Sequence, residues 1–213
     1  MKIELQKVLP KDIEKRSFEI ITEELGERTI DEKLAPIVKR VIHTSADFDY
    51  YDNMKFSEAV VDKIAAAIRS GACIVTDTQM ARAGINKGEL SKYGGEVFCF
   101  MSDEDVAQKA KAEGTTRATA SMDKAAALGK PVIFAIGNAP TALVRIYELH
   151  SEGKLNPEAV IGVPVGFVNV VESKNIIMDS DMPYIVAAGR KGGSNVAAAI
   201  CNAVLYMMRD GKL

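Results

Sequence analysis

Two residues of the 213 in this chain are histidines, and one of them stands where a titratable group is free to work. His43 lies in the run Val41-Ile42-His43-Thr44-Ser45-Ala46-Asp47. The apolar residues around it, Leu34, Ile37, Val38, Val41 and Ile42, recur at the spacing of one helix face. At about 100° per residue, His43 falls roughly opposite that stripe, on the side of Pro36, Lys39 and Arg40. The core of its own helix does not claim it, so it faces water, a cleft or a partner subunit. An imidazole ordinarily titrates near pH ~6.5 and exchanges protons under physiological conditions. A protonated histidine at a helix end also suits the negative pole of the helix dipole with no catalytic duty at all.

Four cations form the second group. Arg82, Arg117, Arg190 and Lys191 lie in or beside glycine-bearing segments that follow apolar runs, whereas much of the remaining Lys and Arg shares helix faces with Glu and Asp. Such a cluster suits a ligand with several carboxylates, which arginine grips with two parallel hydrogen bonds. Local salt bridges are the alternative, and Arg190 and Lys191 in particular have the option of plain solvation. The segments are Thr76-Asp77-Thr78-Gln79-Met80-Ala81-Arg82-Ala83-Gly84-Ile85, Gly137-Asn138-Ala139-Pro140-Thr141, Gly162-Val163-Pro164-Val165-Gly166-Phe167-Val168 and Gly189-Arg190-Lys191-Gly192-Gly193-Ser194-Asn195. Glycine lets backbone approach a ligand closely, and a helix starting after each segment offers N–H donors to anions. Each glycine alone is accounted for by a tight turn. The last segment lacks the Gly-Lys-Ser/Thr ending of a P-loop, and no GxGxxG follows a strand, so no nucleotide is indicated.

Other candidates carry less. His150 precedes Gly153 at a helix end, a favourable place for a surface histidine. Asp47, Asp49 and Asp52 are a candidate metal cluster but lack the Gly and Glu of a calcium loop, and their alternation with Phe48, Tyr50 and Tyr51 reads as a loop with buried aromatics. Ser17 and Ser45 lack the setting of a nucleophile elbow. No cysteine or histidine spacing points to a metal site.

The elements that must position these groups alternate. Helices are expected at residues 12–25, 31–43 and 57–70, the last capped by Ser57. Strands follow at 73–76, 97–100, 131–135, 160–163 and 184–188, separated by helices at 103–112, 117–128, 140–150, 172–178 and 195–209. Continuous apolar strands separated by helices predict an α/β fold: a doubly wound, mainly parallel five-stranded sheet with helices on both faces and two N-terminal helices packed alongside. Ligands of such sheets bind beyond the carboxyl ends of the strands. The length fits one domain spanning residues 1–213. A net charge of −2 gives no general attraction to nucleic acid or anionic membrane. Three cysteines in core-type runs, a start without an apolar signal core and no long uncharged apolar run predict a soluble cytoplasmic protein with reduced thiols.

Taken together the motifs resemble the precorrin-8X methylmutase (cobalt-precorrin-8 methylmutase) family of cobalamin biosynthesis. The resemblance rests on Arg40-Val41-Ile42-His43-Thr44-Ser45-Ala46-Asp47, Arg82-Ala83-Gly84-Ile85, Thr116-Arg117-Ala118, Gly137-Asn138-Ala139-Pro140-Thr141-Ala142-Leu143, residues 162–168 through Glu172-Ser173-Lys174, and Gly192-Gly193-Ser194-Asn195. It implies an isomerase that moves a methyl group from C11 to C12 of a corrinoid ring, with His43 as general acid. It implies a homodimer, a carboxylate-rich corrinoid substrate, no nucleic acid or membrane partner and no separate cofactor, cobalt arriving inside the substrate if at all. The residues then expected to bind substrate are Ser17, Arg40, Arg82, Gly84, Thr116, Arg117, Asn138, Lys191, Gly192 and Gly193, with no metal ligand. A corrinoid-binding carrier without catalysis is the alternative from another class.

Overall fold

The structure, a computed structural model, describes residues 8–213. Its strands are β1 Met54–Phe56, β2 Cys73–Thr76, β3 Val97–Phe98, β4 Val132–Ile136, β5 Ala159–Gly162 and β6 Tyr184–Ala187. They form one sheet in the order β1-β6-β5-β4-β2-β3. β2 to β6 run parallel, and β1 pairs antiparallel with β6 through Met54↔Ala187 and Phe56↔Ile185. The α/β class and the parallel core are as predicted, but the sheet has six strands and not five. β1 is missed because three residues are too few to show a period, and as an edge strand it needs only one paired side. Residues 48–52, expected as a loop, run into a short helix.

The helices are α1 Ile13–Leu25, α2 Ala35–Ser45, α3 Tyr50–Asn53, α4 Val60–Arg69, α5 Gln79–Gly84, α6 Lys87–Ser91, α7 Glu104–Glu113, α8 Arg117–Ala126, α9 Pro140–Ser151, α10 Val170–Met178 and α11 Ser194–Arg209. Ser57 does not cap α4, which begins after Ala59 in a left-handed conformation. Instead Ser57 Oγ accepts the Tyr184 N–H at 2.8 Å and ties this segment to β6.

Successive strand residues feed two cores. Ile74, Ile133, Ile161 and Ile185 pack with α2, α4 and α11 on one face, while Val75, Phe134, Val160 and Val186 pack with α7 to α10 on the other. α1 and α2 lie outside α11, as expected of helices beside the sheet. α2 and α11 run in opposite directions, since Pro36 neighbours Met207 and Asp210 while His43 and Thr44 neighbour Asn195 and Ala198. The carboxyl end of α2 thus reaches the same rim as the amino end of α11.

That rim is also where the strand order reverses. β2 leads outward to β3, and β4 then returns to the other side of β2 and continues to β5 and β6. The reversal between β2 and β4 is the topological switch point, the usual ligand position in such sheets. Among the described residues no helix is long and apolar enough to cross a membrane, and all three cysteines are buried and unbridged. Met1-Lys2-Ile3-Glu4, which entered the expectation of a cytoplasmic protein, lies outside the described residues.

Because α11 fills the space between sheet and α2, its core positions carry the whole arrangement. Ile200 is fully buried, and Ile200→Ala is expected to lower unfolding stability in urea by about 2–5 kcal/mol. A loss well under ~1 kcal/mol would contradict this packing role.

Candidate active site

At the switch point the carboxylate of Asp77, one residue beyond β2, is almost completely buried. It accepts three backbone N–H donors, from Gly137 at 2.9 Å, Asn138 at 2.8 Å and Ala139 at 2.6 Å. Burial raises its pKa above the usual carboxylate value, and the three N–H groups offset only part of that rise. The N–H groups of the turn that leads into α9 are therefore consumed by the protein's own carboxylate. Gly137 in turn lies flat on α11: a Cβ there would stand 2.7 Å from Ser194 Cα. Thr78 Oγ1 shares a hydrogen bond of 2.8 Å with Ser194 Oγ. β2, β4 and the start of α11 are locked into one unit.

The segment after β6 is held from beneath. Lys174 of α10 is fully buried, and its Nζ donates to the carbonyls of Gly189 and Lys191, both at 2.8 Å. Burial pulls its pKa down to about 8. Gly192 and Gly193 use their missing side chains on the neighbouring strand end. A Cβ on Gly192 would lie 2.1 Å from Val163 O, and Gly193 N–H donates to that same oxygen at 2.9 Å. Lys191 reaches outward to Asp47 at 2.6 Å and Asp49 at 2.5 Å. Hydrogen bonding to these two carboxylates holds the ammonium well above its ordinary pKa, and Asp47 correspondingly below its own. The acidic residues after α2 thus fasten the end of the histidine helix to the glycine segment.

His43 itself is exposed. It borders a shallow hollow of about 220 Å³ between α2, α5 and α11, with Arg40, Thr44, Gly84, Asn195 and Asn202 around it. Gly84 packs on α11, a Cβ there falling 2.9 Å from Ala198 Cβ. Asn202 holds both sides of that contact, donating to Gly84 O at 2.9 Å and accepting Asn86 N–H at 2.8 Å. Arg40 extends into an adjoining hollow with Phe18, Tyr206 and Asp210. His150, by contrast, is engaged at both ring nitrogens, with Leu155 O at 3.1 Å and Asp181 at 2.8 Å, as a surface tether.

With this geometry in place, comparison with known proteins is decisive. Residues 12–207 match the family model of precorrin-8X methylmutase. The chain belongs to the precorrin-8X methylmutase family. The cobalt-precorrin-8 methylmutase of Priestia megaterium is 47% identical over 204 residues, covering 96% of this chain and 91% of that protein. The one from Salmonella typhimurium is 46% identical, with 94% and 97% covered. The crystal structure of precorrin-8x methyl mutase from Thermus thermophilus superposes with a TM-score of 0.87 at 36% identity, covering 95% of this chain and 100% of that one.

Of the residues expected to bind substrate, Arg40 and Gly84 join His43 at one hollow. Ser17 is on α1, its hydroxyl turned back to Ile13 O at 2.9 Å. Asn138 lies at the switch point, its N–H taken by Asp77. Lys191, Gly192 and Gly193 border the rim but are committed to internal contacts. Arg82 bends toward the sheet edge, donating to Val97 O at 3.2 Å. Thr116 caps α8 and meets Thr141 Oγ1 at 3.0 Å, at the start of α9. Arg117 opens on a separate hollow of about 470 Å³ between α7 and α8. Among the described residues Arg82, Arg117 and Arg190 have no carboxylate partner, so three of the four rim cations keep their charge available. Phe167 and Val168 project from the segment after β5 with 83% and 77% exposure, Arg190 lying 5.4 Å from the Phe167 ring.

Sequence reasoning missed the anchoring roles of Asp77 and Lys174. Their signals are an acid directly after an apolar strand, and a lysine whose helix neighbours Ser173 and Ile177 are buried. Lys174 is the better test. With its pKa lowered on folding, the unfolded chain holds more protons between about pH 8 and the ordinary lysine range near ~10.4, so stability rises with pH across that window. Urea unfolding of wild type and Lys174→Met over that range is expected to show this rise in wild type only. A parallel pH dependence in both would contradict a buried, desolvated ammonium.

Proposed function

We propose that this protein rearranges precorrin-8X or its cobalt form by moving one methyl group between neighbouring ring carbons, with His43 as the acid. The observation that supports this most is an exposed imidazole, free of hydrogen-bond partners among the described residues, at the carboxyl rim of the sheet in a chain of this family. The migrating methyl carries its bonding pair from C11 to C12. A proton or strong hydrogen bond from His43 to the conjugated ring draws electrons away from C12, makes that receiving carbon more electrophilic and eases the shift. The proton returns to the imidazole as conjugation is restored, so atoms and charge balance and nothing is oxidised. Positioned acid catalysis of this kind contributes roughly 10²–10⁴-fold. Arg82, Arg117 and Arg190 are suited to the peripheral acetate and propionate groups, with Arg40, Gly84, Ser17, Thr116 and Asn138 lining the approach. Lys191, Gly192 and Gly193 serve by shaping the rim. No cofactor is assigned, and cobalt, where present, belongs to the substrate. A non-catalytic carrier role has no observation in its favour.

The macrocycle needs more room than the hollow beside His43 provides among the described residues. Drug-sized ligands already occupy pockets of ~300–1,000 Å³, against about 220 Å³ beside His43. The reading therefore includes a second copy of the chain closing the site, in the cytoplasm and without nucleic acid. His43→Ala is expected to slow the absorbance change of rearrangement by roughly 10²–10⁴-fold while still binding corrinoid; a variant of wild-type activity would remove His43 from the mechanism. Light scattering of the active protein is expected to give twice 23.0 kDa, and full activity in a monomer would contradict the shared site.

A further inference from the structure

Catalytic imidazoles are usually oriented by an acceptor on the ring nitrogen that does not react. His43 has none among the described residues, yet a proton donor must be held in plane to be effective. The one group placed to hold it is aromatic. Phe18 of α1 lies against the imidazole with ring centroids 5.4 Å apart and planes inclined by 25°, within the range of offset-stacked pairs. We propose that Phe18 is a positioning residue for His43: its face sets the imidazole plane without engaging either ring nitrogen in a hydrogen bond. This rests on the role of His43 proposed above.

Phe18 is itself clamped. The Arg40 guanidinium carbon stands 5.1 Å from the Phe18 ring and 4.8 Å from the Tyr206 ring, and Arg40 pairs with Glu14 at 2.7 Å. Glu14 precedes Phe18 by four residues on α1, and Arg40 precedes His43 by three on α2. Two adjacent turns of each helix are therefore cross-tied, Glu14 to Arg40 and Phe18 to His43. Tyr206 of α11 backs the guanidinium. A carboxylate on the imidazole would consume one nitrogen and favour one tautomer, whereas an aromatic face restrains the ring and leaves either nitrogen free to give up the proton and take it back.

The test compares Phe18→Leu, which keeps an apolar side chain against α2, with Phe18→Tyr, which keeps the ring face. Phe18→Leu is expected to lower kcat on the order of tenfold with KM within about twofold, and Phe18→Tyr to stay within about twofold of wild type. In a His43→Ala background Phe18→Leu is expected to have no further effect on residual turnover. Wild-type kcat in the Leu variant, or equal losses in Leu and Tyr, would overturn the proposal. A measurement on the wild-type chain guards against a variant that fails to fold. Nuclear Overhauser contacts are expected between the Phe18 ring protons and the imidazole C–H protons, the latter assigned by their loss in His43→Ala, and their absence would overturn the stack. An active His43→Ala protein, with these contacts present in wild type, would show that the role of the histidine had failed, and Phe18's part in catalysis with it, while the stack itself stood.

Discussion

Helix α11 reaches the carboxyl edge of the sheet because positions that face it carry no side chain. Gly137 lies on the backbone of Ser194, Gly84 on Ala198, and Gly192 against the carbonyl of Val163 just before the helix starts. At each position a Cβ would come closer than packed atoms tolerate. Everything at the rim follows from that approach. α2 packs antiparallel on α11, so its carboxyl end, with His43, arrives beside Gly84 of α5 and the first turns of α11. Gly137 and Gly192 are spent on the protein's own backbone, which inverts the simplest reading of glycine-rich segments beside a site.

Charge is used at the rim in two distinct ways. Asp77 and Lys174 point inward and satisfy backbone groups that a tight turn leaves unpaired. Removing either would strand buried donors or acceptors, a heavier penalty than losing a surface contact. Lys191 works at the surface, where ion pairs are weak and screened by salt, yet its bridge to Asp47 and Asp49 links the two segments whose relative position matters most. Arg82, Arg117 and Arg190 are left over, on both sides of the switch point. A rigid base of buried charges beneath a fringe of unpaired guanidiniums is an arrangement fit for a broad, multiply anionic ligand.

Much of this was legible in the amino-acid sequence. The apolar stripe of Leu34, Ile37, Val38, Val41 and Ile42 placed His43 outside its own helix core, and the apolar strands announced a parallel sheet. Strand β1 was not legible, because three residues paired at an edge carry no period. Ser57 resembled a cap because serine favours that position, but a contact with Tyr184, distant in sequence, claims its hydroxyl. The ion pairs of Lys191 are not legible either, because its partners, Asp47 and Asp49, lie more than a hundred residues away. Long-range pairing is what single-sequence reasoning lacks, and it decides which rim cations are free. The resemblance to the methylmutases supplied what spacing alone did not.

In the proposed reaction one unpaired imidazole, presented by α2, meets the conjugated ring of a large polyanionic substrate. The most direct test is a crystal structure with a bound corrinoid product. The ring system is expected over the hollow bounded by Arg40, Gly84 and Asn195, with an imidazole nitrogen of His43 within about 2.6–3.2 Å of a ring atom or of one bridging water. A corrinoid seated elsewhere, or one seated here with His43 turned away from it, would contradict the account.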